Sequence, residues 1–177
     1  MTQTIFLSYA SQDADAASRI GEALRATGIE VWFDQNELIG GDAWDQKIRM
    51  QIKECALFVP IISANTNARE EGYFRLEWKL SVDRSHLIAD SKPFLFPVIL
   101  GDVAEALALV PDKFRERQWS RLNDDSATRA FVAQIAKLAS GRASPSKNTP
   151  NTAPIIAIAP RIIRDRPNSV HLMKKLV

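Results

Sequence analysis

LFVPII at Leu57–Ile62 is the stretch of this sequence that decides the fold. Every residue in it is apolar, which is typical of a strand covered on both faces in the middle of a parallel sheet. Pro60 is the difficulty, because proline has no N–H to donate to a neighbouring strand. We therefore expect Pro60 to lie where the sheet does not need that donor.

Strand-like and helix-like patterns alternate on both sides of this segment. Short apolar runs predict further strands at 5–9, 30–33, 94–100 and 118–119. Apolar residues at helical spacing predict helices at about 13–27, 43–55, 70–84 and 126–138, a short helix within 102–110, and polar loops at 34–41 and 64–69. Such alternation predicts right-handed crossovers and a five-stranded parallel sheet, order 2-1-3-4-5, with helices on both faces.

A sheet of this order places its ligand crevice beyond the carboxyl ends of strands one and three, where the winding reverses. Ser8 and Tyr9 end the first strand, and Ser63 follows the third. The helix at 70–84 begins shortly after Ser63. The sequence therefore predicts a ligand crevice beside that helix.

The helix at 70–84 carries two apolar patches with polar strips between them. The patches are Tyr73, Leu76 and Leu80, and Phe74, Trp78 and Val82; Glu77, Ser81 and Arg84 form a narrow strip between them, and Arg75, Lys79 and Asp83 form a strip that suits water. Glu77 thus lies between aromatic side chains. A carboxylate there is matched by a cation such as Arg84, is held for a ligand, or is a helix-surface residue with a modest ion pair.

Composition excludes several classes of protein. The single cysteine, Cys55, rules out an internal disulfide and a cysteine-based zinc site, and it favours a reducing, cytoplasmic location. No apolar run approaches the roughly 18 residues of a membrane span, so we expect no membrane partner. The segment 141–177 carries seven Lys or Arg residues and one Asp, leaving residues 1–140 mildly acidic. Such a body gives no sign of a nucleic-acid surface.

The composition changes at residue 141. GRASPSKNTPNTAP at 141–154 has no periodicity and is typical of a linker, and the apolar runs after it are too short to form a core. We therefore predict one domain at 1–140 and a Pro/Ser-rich linker with a short basic tail at 141–177.

Motifs for other chemistries are missing. No G-x-G-x-x-G follows the first strand and no G-x-x-x-x-G-K-[ST] occurs, so neither a dinucleotide-cofactor site nor a P-loop is expected. His86 and His171 have no second ligand at metal spacing, so we expect no metal. Trp44, beside the loop at 34–41, is the tryptophan most suited to touch a ligand.

Four blocks in order resemble the TIR (Toll/interleukin-1 receptor) domain of the bacterial kind, over residues 4 to about 139. The blocks are IFLSYASQD at 5–13, EVWFD with its glycine-bounded loop at 30–41, LFVPIIS at 57–63, and the helix that carries Tyr73 and Glu77. The resemblance implies a flavodoxin-like fold, in agreement with the predicted strand order. Many bacterial and plant members cleave NAD at the nicotinamide–ribose bond with a glutamate four residues after an aromatic.

By this resemblance Glu77 is the catalytic carboxylate and Tyr73 the aromatic, where many relatives have tryptophan. The implied substrate-binding residues are Tyr9, Ser11, Phe33, Asp34, Trp44 and Tyr73. NAD is then a substrate, and the reaction uses no cofactor and no metal. The product is nicotinamide with linear or cyclic ADP-ribose, in signalling or bacterial defence.

The resemblance also supports a second function, because many TIR domains act only as scaffolds through homotypic association. The implied self-association loop is 34–41, with Asp34, Leu38, Ile39, Gly40 and Gly41 as its contact residues. Bacterial relatives also work with a sensor domain, fused or on a separate chain. The expected partners are therefore NAD, other TIR domains and a sensor.

The proposed boundary at residue 141 is open to limited proteolysis of the full chain. Residues 141–154 have no large apolar side chains to bury in a core, so we expect a protease to cut there first. Mass spectrometry of the first fragments should show residues 4–139 intact. An earlier cut inside 4–139 would contradict the boundary.

Overall fold

The computed structural model describes residues 4–33 and 42–140 of the chain. The strands are β1 (Thr4–Ser8), β2 (Glu30–Trp32), β3 (Leu57–Ile62), β4 (Val98–Ile99) and β5 (Ser120–Arg121). All pairs are parallel and the order is β2-β1-β3-β4-β5, which confirms the predicted α/β fold. The predicted loop at 34–41 and the tail at 141–177 lie outside the described residues.

Helices join the strands in this part of the chain. The α-helices are α1 (Ala14–Arg25), α2 (Asp42–Glu54), α3 (Ala64–Ala68), α4 (Tyr73–Ser85), α5 (Asp112–Arg115) and α6 (Asp125–Ala139), with 3-10 turns at Ser11–Asp13 and Glu105–Leu107. Over 4–33 and 42–140, none of these helices has the length and apolar character needed to cross a membrane.

Strand alternation divides the core into two layers. Ile5 and Leu7 of β1 pack with α1 and α6, whereas Phe6 packs on the other face with α2 and α4. Strand β3 follows the same rule and is buried at every position, as its apolar sequence predicts. Because side chains alternate along a strand, Ser8 shares the face of Phe6 and therefore faces α4.

Pro60 lies in β3 where it interrupts one ladder only. The backbone N–H of Phe58 donates to Phe94 O at 2.7 Å, and that of Leu100 donates to Ile62 O at 2.9 Å. The backbone N–H and C=O groups of the even-numbered residues of β3 therefore point toward β4. Pro60 falls between them on the same side, and its missing N–H breaks the β3–β4 ladder while the β1–β3 register continues. The strand predicted at 94–100 is accordingly reduced to Val98–Ile99 and a single bridge between Phe58 and Leu95.

The prediction of a loop at 64–69 is wrong, because residues 64–68 form helix α3. Ser63 caps this helix: its hydroxyl accepts from the backbone N–H groups of Asn65 and Thr66, and its own N–H donates to Thr66 Oγ1 at 2.9 Å. This is a capping box built with threonine in place of the usual Glu or Gln, so its sequence signal is weak. The next helix begins at Tyr73, with Gly72 as its N-cap, and not at residue 70.

The last third of the fold also differs in detail from the prediction. The fifth strand is Ser120–Arg121 and not 118–119, because Ser120 N–H donates to Pro97 O at 3.0 Å and so sets the register against β4. The short helix predicted within 102–110 is a single 3-10 turn, and α5 after Pro111 was not predicted. The final helix is confirmed within one residue at each end, with Asp124 as its N-cap.

Arg84 joins α4 to the end of α2. Its guanidinium donates to the carbonyls of Ile52 and Cys55, to Cys55 Sγ at 3.3 Å, and lies 4.5 Å from the centroid of the Phe94 ring. A cation at a helix C-terminus satisfies carbonyls that have no partner within the helix. Burial raises the pKa of Cys55 to about 11, so the thiol beside Arg84 is protonated at neutral pH.

We expect Arg84→Ala to lower the free energy of unfolding by about 2–4 kcal/mol, since it removes charge-assisted hydrogen bonds and the contact with Phe94. Lys79→Ala is the matched control on the exposed side of the same helix, and we expect a change within about 0.5 kcal/mol. Urea unfolding followed by tryptophan fluorescence measures both. Equal stabilities for the two variants would contradict this role of Arg84.

Candidate functional site

Ser8 and Glu77 meet at the carboxyl end of β1. The Ser8 hydroxyl donates to Glu77 Oε2 at 2.5 Å, and the residues are 1% and 4% exposed. A carboxylate removed from water needs donors of this kind, because its desolvation is otherwise costly. Glu77 makes further interactions besides this one. The structure thus places the predicted catalytic carboxylate against the end of the first strand.

The face of α4 that packs on the sheet combines Glu77 and Ser81 of the predicted polar strip with Phe74 and Trp78 of one predicted apolar patch. Its buried residues are Phe74, Glu77, Trp78, Ser81 and Ser85, whereas Tyr73, Leu76 and Leu80 are half-buried. The hydroxyls of Ser81 and Ser85 donate to carbonyls of their own helix, at 2.8 Å and 2.7 Å. Because these serines are satisfied locally, the strip can be buried.

Arg84, considered above as a cation for Glu77, is directed elsewhere. Its guanidinium bonds to the end of α2, as described for the fold. Arg84 lies two helical turns beyond Glu77, and the strong acceptors it meets there are main-chain carbonyls. The interpretation of Glu77 as the ion-pair partner of Arg84 is therefore replaced by its hydrogen bond with Ser8.

A second buried carboxylate ties the first loop of the sheet edge to the third. Asp13 is 8% exposed and accepts from Ser63 Oγ at 2.5 Å and from Asn65 Nδ2 at 2.6 Å. Ser63 is also the N-cap of α3, so the same hydroxyl serves both contacts. These bonds fix the ends of β1 and β3 relative to each other, where the sheet order predicts the crevice.

Ser11, predicted to bind substrate, lies on the exposed side of this edge. Arg69 donates to Ser11 Oγ at 3.1 Å and to Gln12 Oε1 at 3.2 Å. The guanidinium of Arg69 therefore links the segment before α4 to the first turn after β1. Arg69 has further interactions as well.

Tyr9 and Phe33 lie together on the other face of the sheet. Their ring centroids are 6.1 Å apart in an edge arrangement, and Tyr9 is 8% exposed within the α1 and α6 core. The guanidinium of Arg25 lies 4.7 Å from the Phe33 ring centroid. The alternation that sends Ser8 toward α4 sends Tyr9 away from it, and both residues stay predictions as substrate contacts.

Trp44 and Tyr73 flank the α4 face. Trp44 stacks on Trp32 with centroids 6.3 Å apart, and Lys47 Nζ lies 5.0 Å from the Trp44 ring centroid. Tyr73 is half-buried at the start of α4 and packs against the same core layer as Trp44. Asp34 and the self-association residues Leu38 to Gly41 fall outside the described residues, so their roles stay predictions.

Three contributors to this region were not predicted from the sequence. Ser8 is a partner of Glu77, Asp13 links the first loop to the third, and Arg69 bonds to Ser11 and Gln12. Ser8 had one available signal, a hydroxyl at the end of an apolar strand. The other two carry no such signal, because their partners lie some 50 or more residues away in sequence. Among residues 4–33 and 42–140, no group of three or more His, Cys, Asp or Glu side chains is placed to hold a metal ion.

Arg75 is not the freely solvated residue that its position predicted. It donates to Thr66 O at 2.7 Å, to Arg69 O at 2.8 Å and to Leu109 O, and it lies 4.8 Å from the Phe74 ring centroid. The side chain therefore holds the turn between α3 and α4 against a distant segment. Arg75→Ala is for that reason unsuitable as a neutral control in any test of Glu77.

Comparison with known proteins settles the family. The sequence profile described as TIR domain matches residues 5–138, which is most of the chain. This chain belongs to the TIR-domain family. A curated relative, the 2′ cyclic ADP-D-ribose synthase BtTIR of Bacteroides thetaiotaomicron, is 42% identical over 59 residues. That match spans 33% of this chain and 21% of the relative.

Solved structures share the fold at low sequence identity. The TIR-STING receptor of C. gigas in complex with 2′,3′-cGAMP has a TM-score of 0.57 and 20% identity, over 75% of this chain and 38% of that one. The TIR domain heterodimer of RPS4 and RRS1 has a TM-score of 0.53 and 13% identity, over 80% and 98%. The CMP N-glycosidase BcmB of Clostridium botulinum has a TM-score of 0.51 and 14% identity, over 75% and 97%.

The bond between Ser8 and Glu77 predicts a measurable coupling. Ser8→Ala removes one hydrogen-bond donor from a buried carboxylate, and we expect it to lower the free energy of unfolding by about 1–3 kcal/mol. Glu77→Gln removes the charge, so Ser8→Ala should cost less in that background. A double-mutant cycle in urea measures the difference.

Ser81→Ala is the control for this cycle, because that hydroxyl is also buried on α4 and bonds only to a helical carbonyl in the described contacts. Its cost should be the same with Glu or Gln at position 77. Additive effects of Ser8→Ala and Glu77→Gln would show that their bond carries no stability.

Proposed function

We propose that this TIR domain cleaves NAD at the nicotinamide–ribose bond, with Glu77 as the catalytic carboxylate. The observation that carries the proposal is a buried carboxylate, fixed by Ser8 at 2.5 Å, at the carboxyl-end edge of the sheet where α/β folds bind ligands. The cyclic ADP-ribose synthase among its relatives gives independent support for NAD as the substrate class.

The proposed chemistry needs one carboxylate. When the bond between ribose and the pyridinium nitrogen breaks, its electron pair returns to the nitrogen, and nicotinamide leaves as a neutral molecule without protonation. Positive charge develops on the ribose in an oxocarbenium-like state. A carboxylate held in a water-poor site opposes that charge more effectively than it would in water. Water then bonds to the cationic ribose carbon and releases a proton, which gives linear ADP-ribose. If a hydroxyl of the same molecule bonds there and releases its proton, the product is cyclic.

Access to Glu77 requires a rearrangement. The residue is 4% exposed, so a ribose can contact the carboxylate only after neighbouring groups move. We infer that self-association drives this opening, which makes the enzyme active as an assembly and inactive as a dilute monomer. Tyr73 is half-buried and lies one helical turn before Glu77, so its ring would offer a stacking face to the substrate once the site opens.

The deciding experiment is NAD consumption by concentrated protein, with Glu77→Gln beside wild type. We expect Glu77→Gln to reduce nicotinamide release by about 10²-fold or more, because glutamine keeps the size but loses the charge. Asp83→Asn makes the same chemical change on the exposed side of α4 and should leave the rate within about twofold. Tyr73→Ala should reduce the rate less severely than Glu77→Gln. Chromatography of nicotinamide and ADP-ribose measures all of them.

The alternative function is a non-catalytic scaffold, and the burial of Glu77 favours it. A carboxylate that is 4% exposed and hydrogen-bonded to Ser8 has a structural reason to be present without any substrate. The RPS4 and RRS1 heterodimer is one case of TIR domains that pair with each other. Wild-type protein that assembles but leaves NAD intact would establish the scaffold. Glu77→Gln protein that cleaves NAD at the wild-type rate would show that Glu77 is not the catalytic carboxylate.

A further inference from the structure

A cavity of about 450 Å³ lies on the side of α4 away from Glu77. Arg75, Trp78 and Lys79 of α4 form one wall, and the segment 108–111 with Arg115 forms the other. The volume lies in the range of pockets that hold small organic molecules. None of the candidate substrate residues lines this cavity, so it is separate from the site described above.

Part of the cavity lining is apolar, and the backbone of one apolar residue in it is fixed by hydrogen bonds. Trp78 and Ala108 in its lining are each 1% exposed, whereas Leu109 is 52% exposed. The backbone N–H of Leu109 donates to Asn67 Oδ1 at 2.7 Å, and Arg75 bonds to its carbonyl. Both backbone groups of Leu109 are therefore fixed.

The cations around the cavity are held by neutral groups. Arg75 donates to the carbonyls of Thr66, Arg69 and Leu109, and Arg115 donates to those of Glu105 at 2.8 Å and Ala108 at 2.6 Å. Carbonyl oxygens satisfy the N–H donors without neutralising the positive charge, and in the described part of the chain Glu70 is the one carboxylate in the lining.

Charge and donors are thus in excess over acceptors. Burial lowers the pKa of Arg75, and the nearby Glu70 carboxylate only partly opposes this. Lys79 adds an exposed ammonium to the same lining. The indole Nε1 of Trp78 is buried and has no hydrogen-bond acceptor among the described residues. Three cations against one carboxylate attract a negative ligand into a partly desolvated space, where the interaction is stronger than in water.

We propose that this cavity binds a compact organic anion, with a flat apolar body against Trp78 and Leu109 and its negative group among Arg75, Lys79 and Arg115. Apolar contact supplies binding energy, and the anion balances the excess of three cations over the Glu70 carboxylate. The proposal does not depend on the cleavage of NAD, because the lining shares no residue with the candidate active site.

The test is a titration of the full chain with 2-naphthoate and with 2-naphthamide, a neutral molecule of the same shape. Two-dimensional ¹⁵N NMR follows the indole N–H signals of the four tryptophans. We expect saturable shifts of the Trp78 signal, and about tenfold tighter binding of 2-naphthoate than of 2-naphthamide, since one additional charge interaction in a partly desolvated site has about that effect. Raising the salt concentration should weaken the binding of 2-naphthoate and leave the binding of 2-naphthamide unchanged.

Two variants separate the parts of the site. Lys79→Glu reverses an exposed charge of the lining and should weaken 2-naphthoate about tenfold, whereas Lys137→Glu on α6 makes the same change elsewhere and should have no effect. Leu109→Ser should weaken the binding of both molecules, because it removes apolar contact. Glu77→Gln should bind 2-naphthoate as wild type does. Equal affinity for the two molecules, unchanged binding by Lys79→Glu, or a Trp78 signal that does not move would overturn the proposal.

Discussion

The contact between Ser8 and Glu77 fixes the first strand relative to the fourth helix. A hydroxyl and a carboxylate are both expensive to bury, and the hydrogen bond between them offsets part of that cost. A shift of β1 by one residue would place Leu7 opposite Glu77 and send Ser8 into the apolar layer beneath α1 and α6. Strand register and helix position therefore depend on the same pair of atoms.

Polar side chains tie the loops at the carboxyl end of the sheet, above an apolar core. Asp13 joins the first loop to the third through Ser63, and Arg69 joins the first loop to the start of α4. Arg75 donates to the carbonyl of Leu109 and so joins α4 to the segment that follows the second 3-10 turn. Each of these side chains bonds to a segment distant in sequence, so the edge is held by tertiary contacts. A site built there inherits its geometry from the whole sheet and not from one loop.

The sequence supports the fold more strongly than it supports the site. Strand and helix periods report burial directly, so β3, α6 and the strand order follow from local patterns. Helix α3 escaped prediction because its cap uses Thr66 in a pattern that also suits a loop. Arg75 was assigned to solvent because its position on the helix does not show that the distant Leu109 carbonyl accepts a hydrogen bond from it. Glu77 was found because a carboxylate among aromatics is visible locally, whereas its partner Ser8 is 69 residues away.

Burial of Glu77 has opposite consequences for the two proposed functions. A pair of unit charges about 4 Å apart interacts with about 4 kcal/mol in a partly desolvated protein site and about 1 kcal/mol in water. The surroundings that keep water from Glu77 are thus what would make it effective against an oxocarbenium charge. The same surroundings exclude the ribose while they remain closed. The closed arrangement of Ser8 and Glu77 is the same in both proposals. The enzyme therefore differs from the scaffold in whether assembly opens this site.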